Sequence, residues 1–145
     1  MKIIETRIII HASVQDIWTV LTDFSVYKEW NSVMNIKGIP GIGEKLQVSI
    51  KLNNKPMQFQ PSIITFEPKS ELRWTGKLFN SPYFFVGEHY FKLYQIQPGQ
   101  VELIHGEIFR GGLLPIIWPM IGEKTALAFE DFNKELKNRV LNLDS

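Results

Sequence analysis

The chain has no cysteine in its 145 residues. That removes disulfide staples, thiolate nucleophiles and cysteine-ligated zinc together, and it fits a reducing compartment. An excess of charge is missing too: 16 Lys and Arg stand against 15 Asp and Glu, a formal +1, with no basic or acidic block. Nothing in that balance calls for nucleic acid or an acidic membrane surface. The longest apolar stretch, Leu113 to Gly122, is broken by Pro115 and Pro119 and falls short of the roughly 20 residues that span a bilayer. At the start, Glu5 and Arg7 interrupt any signal-peptide core, so the expected location is the cytoplasm, with no membrane insertion.

Ready-made catalytic templates are absent as well. Only His11, His89 and His105 could offer imidazole to a metal, and none lies in an H-E-x-x-H spacing; no metal or cofactor is expected. Gly38 and Gly43 have the glycine spacing of a phosphate loop, but Glu44 holds the lysine position and Lys45 is followed by Leu46. That segment reads as a turn. No G-x-S-x-G elbow occurs.

What is present is the balance of an ordinary globular protein, 44% hydrophobic and 21% charged, without linker or repeat, so residues 1–145 are read as one domain. Residues 2–11 alternate and are rich in Ile, which predicts a strand. Ser13 can cap a helix by accepting from the amide of Asp16, and Val14, Ile17, Leu21 and Phe24 follow at helical spacing. A second short helical segment carries Tyr27 and Trp30. Turn residues then divide the chain into strands at about 44–52, 57–67, 70–79, 84–96 and 100–110, with turns at Asn53-Asn54, Pro68, Asn80-Ser81-Pro82, Pro98-Gly99 and Gly111-Gly112. This is an antiparallel meander. Beyond it Ile117, Ile121, Thr125, Phe129, Phe132, Leu136 and Val140 recur every three or four residues, one stripe on a long C-terminal helix. Pro119 either opens that helix or interrupts it. A helix of this length can lie across a twisted sheet but cannot fill its concave face at both ends, which leaves room for a hollow.

Pieces spread along the chain carry a family resemblance. They are Ala12-Ser13 with Ile17-Trp18, Leu21, Asp23-Phe24, Tyr27 and Trp30-Asn31; then Phe59-x-Pro61, Phe66-x-Pro68, Leu72-x-Trp74-x-Gly76 and Gly87-x-His89-x-Phe91-x-Leu93; then Glu107-x-Phe109-x-Gly111 before Leu113-Leu114. In order and spacing these resemble the SRPBCC superfamily, which includes START lipid-transfer domains and bacterial polyketide cyclase/dehydratase-like proteins. The resemblance implies an α+β helix-grip fold, a curved antiparallel sheet wrapped around a long C-terminal helix, with two short N-terminal helices and an internal cavity. It implies no particular reaction, because fold and function separate in such superfamilies.

The expected ligand-binding residues are Trp30, Phe59, Trp74, His89, Phe91, Glu107, Phe109 and Ile121. Apolar walls would supply affinity and the few polar groups orientation. His89 shares a strand face with Phe91 and Leu93, and Glu107 shares one with Leu103, His105 and Phe109. Each is a structural pair, a group on a wet outer face, or a ligand-orienting and proton-transferring pair. Parity decides. A two-residue Pro98-Gly99 turn would set residue 89 opposite 108, whereas a longer loop or a bulge would set it opposite 107 or 109; the longer loop is expected, with both side chains inward. The leading functional expectation is a binder of a small hydrophobic molecule, a lipid, polyketide or aromatic. The alternatives are a cyclase/dehydratase-type enzyme moving a proton through His89 or Glu107, and a non-catalytic interaction module.

Overall fold

A computed structural model describes residues 1–52, 55–77, 81 and 83–143. Its elements, in chain order, are β1 (Lys2–Ile10), α1 (Val14–Thr22), a 3₁₀ helix (Phe24–Glu29), β2 (Met34–Lys37), β3 (Gln47–Leu52), β4 (Lys55–Phe59), β5 (Ser62–Glu67), β6 (Glu71–Lys77), β7 (Val86–Gln97), β8 (Gln100–Arg110) and α2 (Leu114–Leu141). Ser13 caps α1 as its sequence predicts, its side chain accepting from the Asp16 amide at 3.1 Å. Ile17, Trp18, Val20 and Leu21 then turn inward.

Among the described residues the strands form two antiparallel sheets, β1-β8-β7-β6-β5 and β2-β3-β4, linked by a bridge between Lys45 and Ser62. The predicted strand 57–67 is therefore two strands, one in each sheet. The reason is Pro61, which has no N–H for a ladder; its carbonyl instead accepts from the Leu46 amide at 2.8 Å, and the chain crosses from one sheet to the other there. Strand β2 was not foreseen, being four residues long with only Met34 and Ile36 buried. The expected turns at Asn53-Asn54 and Asn80-Ser81-Pro82, and the last two residues of the expected strand 70–79, lie wholly or partly outside the described residues.

The β7–β8 hairpin departs from the expected longer loop. Gln97 pairs with Gln100, so Pro98-Gly99 is a two-residue turn, with Gly99 at φ 79°, the left-handed corner that favours glycine. A two-residue turn alone would set residue 89 opposite 108. Between Gln95 and Gln97 the register shifts, and Ile96 is the extra residue of a bulge. That single insertion sets His89 opposite Glu107.

Helix α2 spans 28 residues with Pro115 in its first turn and Pro119 within it. Thr125, Phe129, Phe132, Leu136 and Val140 are buried against the sheet, while Ile117 and Ile121 are half-buried. The buried apolar side chains gather in two clusters. The larger holds Ile10, Leu21, Tyr27, Leu72, Trp74, Phe91 and Phe132 among others, and the smaller holds Ile4, Phe85, Phe109, Leu114 and Phe129. Ile121 packs against both.

Candidate functional site

On β8 the side chains of Val101, Leu103, His105, Glu107 and Phe109 alternate with those of Glu102, Ile104, Gly106, Ile108 and Arg110. The first set faces α2, because His105 meets both Phe129 and Asn133 of that helix. Glu107 therefore points inward, beside His89 of β7. His89 and His105 are 1% and 0% exposed, and both lie among aromatic rings. His105 is sandwiched between Phe129 at 4.2 Å and Phe91 at 4.4 Å. His89 stacks on Trp74 at 4.9 Å and meets the Phe129 ring edge-on at 4.8 Å.

Polar groups buried in such a setting must satisfy one another, and here they do so as one chain. Glu107 Oε1 lies 3.1 Å from His89 Nδ1, His89 Nε2 lies 2.7 Å from His105 Nε2, and His105 Nδ1 lies 2.8 Å from Asn133 Oδ1. Asn133 Nδ2 donates to Thr6 Oγ1 at 2.8 Å, and that hydroxyl donates to the His105 carbonyl at 2.8 Å. The chain has a direction. Thr6 spends its one proton on the carbonyl, so it accepts from the Asn133 amide, and the Asn133 oxygen must face His105. His105 Nδ1 then donates, its Nε2 accepts from His89 Nε2–H, and His89 Nδ1 is left as an acceptor. With both rings neutral, the proton between His89 and Glu107 belongs to the carboxyl.

The electrostatics agree with that polarity. Burial lowers His89 from 6.5 to about 3. Burial, then the neighbouring His89, holds His105 well below its ordinary value, against the opposing bond from Asn133. Burial raises Glu107 from 4.5 to about 8. The His89–Glu107 contact is accordingly a hydrogen bond between neutral groups rather than an ion pair.

The remaining carboxyl oxygen, Oε2, lies over Gly87, where a Cβ would stand 2.2 Å from it. Gly87 pairs with Gly76 on one side and Phe109 on the other; the carboxyl takes the room that Gly87 leaves, and Pro61 packs against the Gly76 position. The Glu107 side chain keeps 15% exposure, against 2% for His89; the acid is the open end of the chain.

Of the residues expected from sequence, the structure brings together Trp74, His89, Phe91 and Glu107, with Phe109 next along the same strand face. Phe109 packs with Phe85 and Trp118 in the smaller cluster. Ile121 sits between the two clusters. Phe59 is half-buried against the larger cluster. Trp30 packs edge-on against Tyr27 and Phe132, and its buried Nε1 meets no acceptor among the described residues. Sequence reasoning did not include His105, Asn133 or Thr6. Asn133 carried a signal: it lies four residues after Phe129 and three before Leu136, on the buried stripe. Thr6 pairs with His105 across β1 and β8.

A separate, open cleft of about 450 Å³ lies on another face of α2, lined by Ser32, Lys51, Glu123, Lys124, Leu127 and Asp131 among others. It contains none of the expected residues, and its mixed charges are unlike an apolar site. No group of three or more His, Asp or Glu side chains placed to hold a metal occurs among the described residues, and no helix among them is long and apolar enough to cross a membrane.

Solved structures share this architecture over nearly the whole chain. A START superfamily protein from Mycobacterium smegmatis superposes with a TM-score of 0.78 at 17% identity, covering 97% of this chain and 98% of that one. The fold is that of the START/SRPBCC superfamily. Norcoclaurine synthase from Thalictrum flavum, in complex with dopamine and hydroxybenzaldehyde, matches with a TM-score of 0.70 at 14% identity, covering 99% of this chain and 88% of that one. The Aha1 protein of Colwellia psychrerythraea, a dimer in solution, matches with 0.71 at 18% identity over the full length of both chains. At such identities the likeness fixes the START-type fold and leaves the function to the site. No family model matches the chain, and no curated protein matches it in sequence.

Proposed function

We propose that this START-type domain binds a small, mostly apolar molecule between the concave sheet face and the first half of α2, with Glu107 as its polar contact. One observation carries the reading: a neutral acid, fixed by a histidine relay among aromatic rings, lays its outer oxygen over Gly87 and keeps partial exposure there. Trp74, Phe91, Phe109 and Ile121 supply apolar wall near it, and His89 holds the acid in place. Trp30 offers a second polar point, since a buried N–H without an acceptor is costly until one arrives. Phe59 borders the larger cluster. A neighbour of the same fold holds two small aromatic molecules, which supports small-molecule binding on this fold. The protein is read as cytoplasmic, without nucleic-acid partner or membrane insertion.

Thermal melting of the full chain against a panel of small hydroxylated aromatics and fatty alcohols tests this. Binding to the folded state raises the melting temperature with ligand concentration. A panel that leaves it unmoved, and leaves His89 and Trp74 spectroscopically unchanged, sinks the reading.

A second reading has its own support. A carboxyl raised to about 8 by burial keeps its proton at neutral pH, and it would act as a general acid once the carboxyl turns that proton from His89 toward the ligand. A conversion of the bound molecule that Glu107→Gln abolishes while binding persists would make the domain an enzyme of the cyclase/dehydratase type.

A further inference from the structure

Which ligand group Glu107 recognises follows from the direction of the hydrogen-bond chain, provided the site binds as proposed above. Thr6, Asn133, His105 and His89 each have one arrangement of protons that satisfies every contact, and that arrangement ends by demanding a donor from Glu107 Oε1. The acid proton is thus committed to His89. Oε2 is then the carbonyl oxygen of a neutral carboxylic acid, with lone pairs and no hydrogen.

We infer that the ligand presents a hydroxyl group to Oε2 of Glu107, as donor, and that the site discriminates against ethers, ketones and carboxylates at that position. An acceptor placed there would face another acceptor with no proton between them. In a desolvated setting the resulting unpaired polar groups cost more than a lost methylene contact, so the discrimination is steep. A carboxylate adds a buried charge to the same mismatch.

Three probes of one shape separate the cases: 2-naphthol, 2-methoxynaphthalene and 2-naphthoate, titrated into the full chain near pH 6, below the Glu107 value of about 8. The expected result is about tenfold tighter binding of 2-naphthol than of the ether, a difference of about 1.4 kcal/mol, and weaker binding still of the carboxylate. Glu107→Gln should keep the preference, because its amide N–H₂ donates to His89 and its carbonyl faces the ligand. Glu107→Leu should erase it. An ether that binds as tightly as the naphthol, or a preference that survives in Glu107→Leu, overturns the inference. If none of the probes binds, the binding proposal itself fails, and the chain's direction is still read from histidine ¹⁵N spectra of the unliganded protein. Protonated Nε2 and bare Nδ1 on His89 are expected there; a protonated Nδ1 overturns the assignment.

Discussion

The carboxyl of Glu107 occupies the volume that a side chain at Gly87 would need, with Oε2 only 2.2 Å from the position of a Cβ there. The two residues sit on neighbouring strands, offset by two positions in the register, since Gly87 pairs with Phe109 and Glu107 with His89. The glycine is what allows the acid to lie flat on the sheet with its other oxygen on the histidine.

Replacing Gly87 by Ala should push the carboxyl off His89. The expected cost is about 1–3 kcal/mol in urea melts, the usual range for overpacking a filled site, together with a changed His89 side-chain spectrum. Unaltered stability and an unaltered spectrum would mean that the carboxyl has somewhere else to go.

Asn133 joins helix to sheet through His105. Asn133→Leu keeps the volume and removes the acceptor, leaving a buried imidazole N–H unpaired at a cost of about 1–3 kcal/mol. The same variant frees His105 to swap tautomers, which ¹⁵N spectra would report. A variant as stable as the parent, with His105 still protonated on Nδ1, would show that Asn133 neither pairs with that N–H nor sets the direction of the chain.

Stability should depend on pH through this cluster on both sides. Glu107 is raised from 4.5 to about 8 by folding, so the stability it contributes is full below 4.5 and is lost as pH rises through about 8. His89 is lowered from 6.5 to about 3; its contribution is full above 6.5 and is lost as pH falls through about 3. His105 is shifted in the same direction. Between about 4.5 and 6.5 the two histidines gain stability as pH rises while Glu107 alone loses it, so the optimum from these groups lies near 6.5, with an alkaline limb no steeper than about 1.4 kcal/mol per pH unit. Glu107→Gln should flatten that limb in denaturant midpoints measured from pH 6 to 9. A limb that persists unchanged in the variant would assign the effect elsewhere.

Phe132 is fully buried where Tyr27, Trp30, Phe91 and His105 converge. Phe132→Ala should cost about 3–5 kcal/mol. A loss under 1 kcal/mol would mean that α2 is not gripped there.

Much of this fold was legible in the sequence because the long helix writes its buried side every three or four residues, and Ser13 writes its cap with one side chain. The division into two sheets was not, since alternation runs through the Pro61 crossing without a break. Nor was the cause of the inward pairing of His89 and Glu107. Their faces follow from one extra residue, Ile96, and a bulge leaves no mark on hydrophobic alternation. Asn133 lies on the buried stripe, but the sequence shows no partner for its amide. Its partner, His105, lies on a distant strand, and only the folded chain brings them together.

The Ile96 bulge can itself be tested. Deleting Ile96 removes the extra residue; with Gln97 still opposite Gln100, Gln95 stays opposite Val101 and His89 opposite Glu107. The variant should keep the His89–Glu107 bond and unfold cooperatively. Loss of that bond in the deletion variant would show that the register is not carried across the bulge in this way.

The most direct test of the central claim is a titration of the full chain with 2-naphthol, followed by the side-chain resonances of Trp74 and His89. The account predicts saturable shifts at both, carried through His105, and none of comparable size around Lys51 and Lys124 in the outer cleft. Shifts confined to that cleft, or no saturable shift at His89, would contradict it.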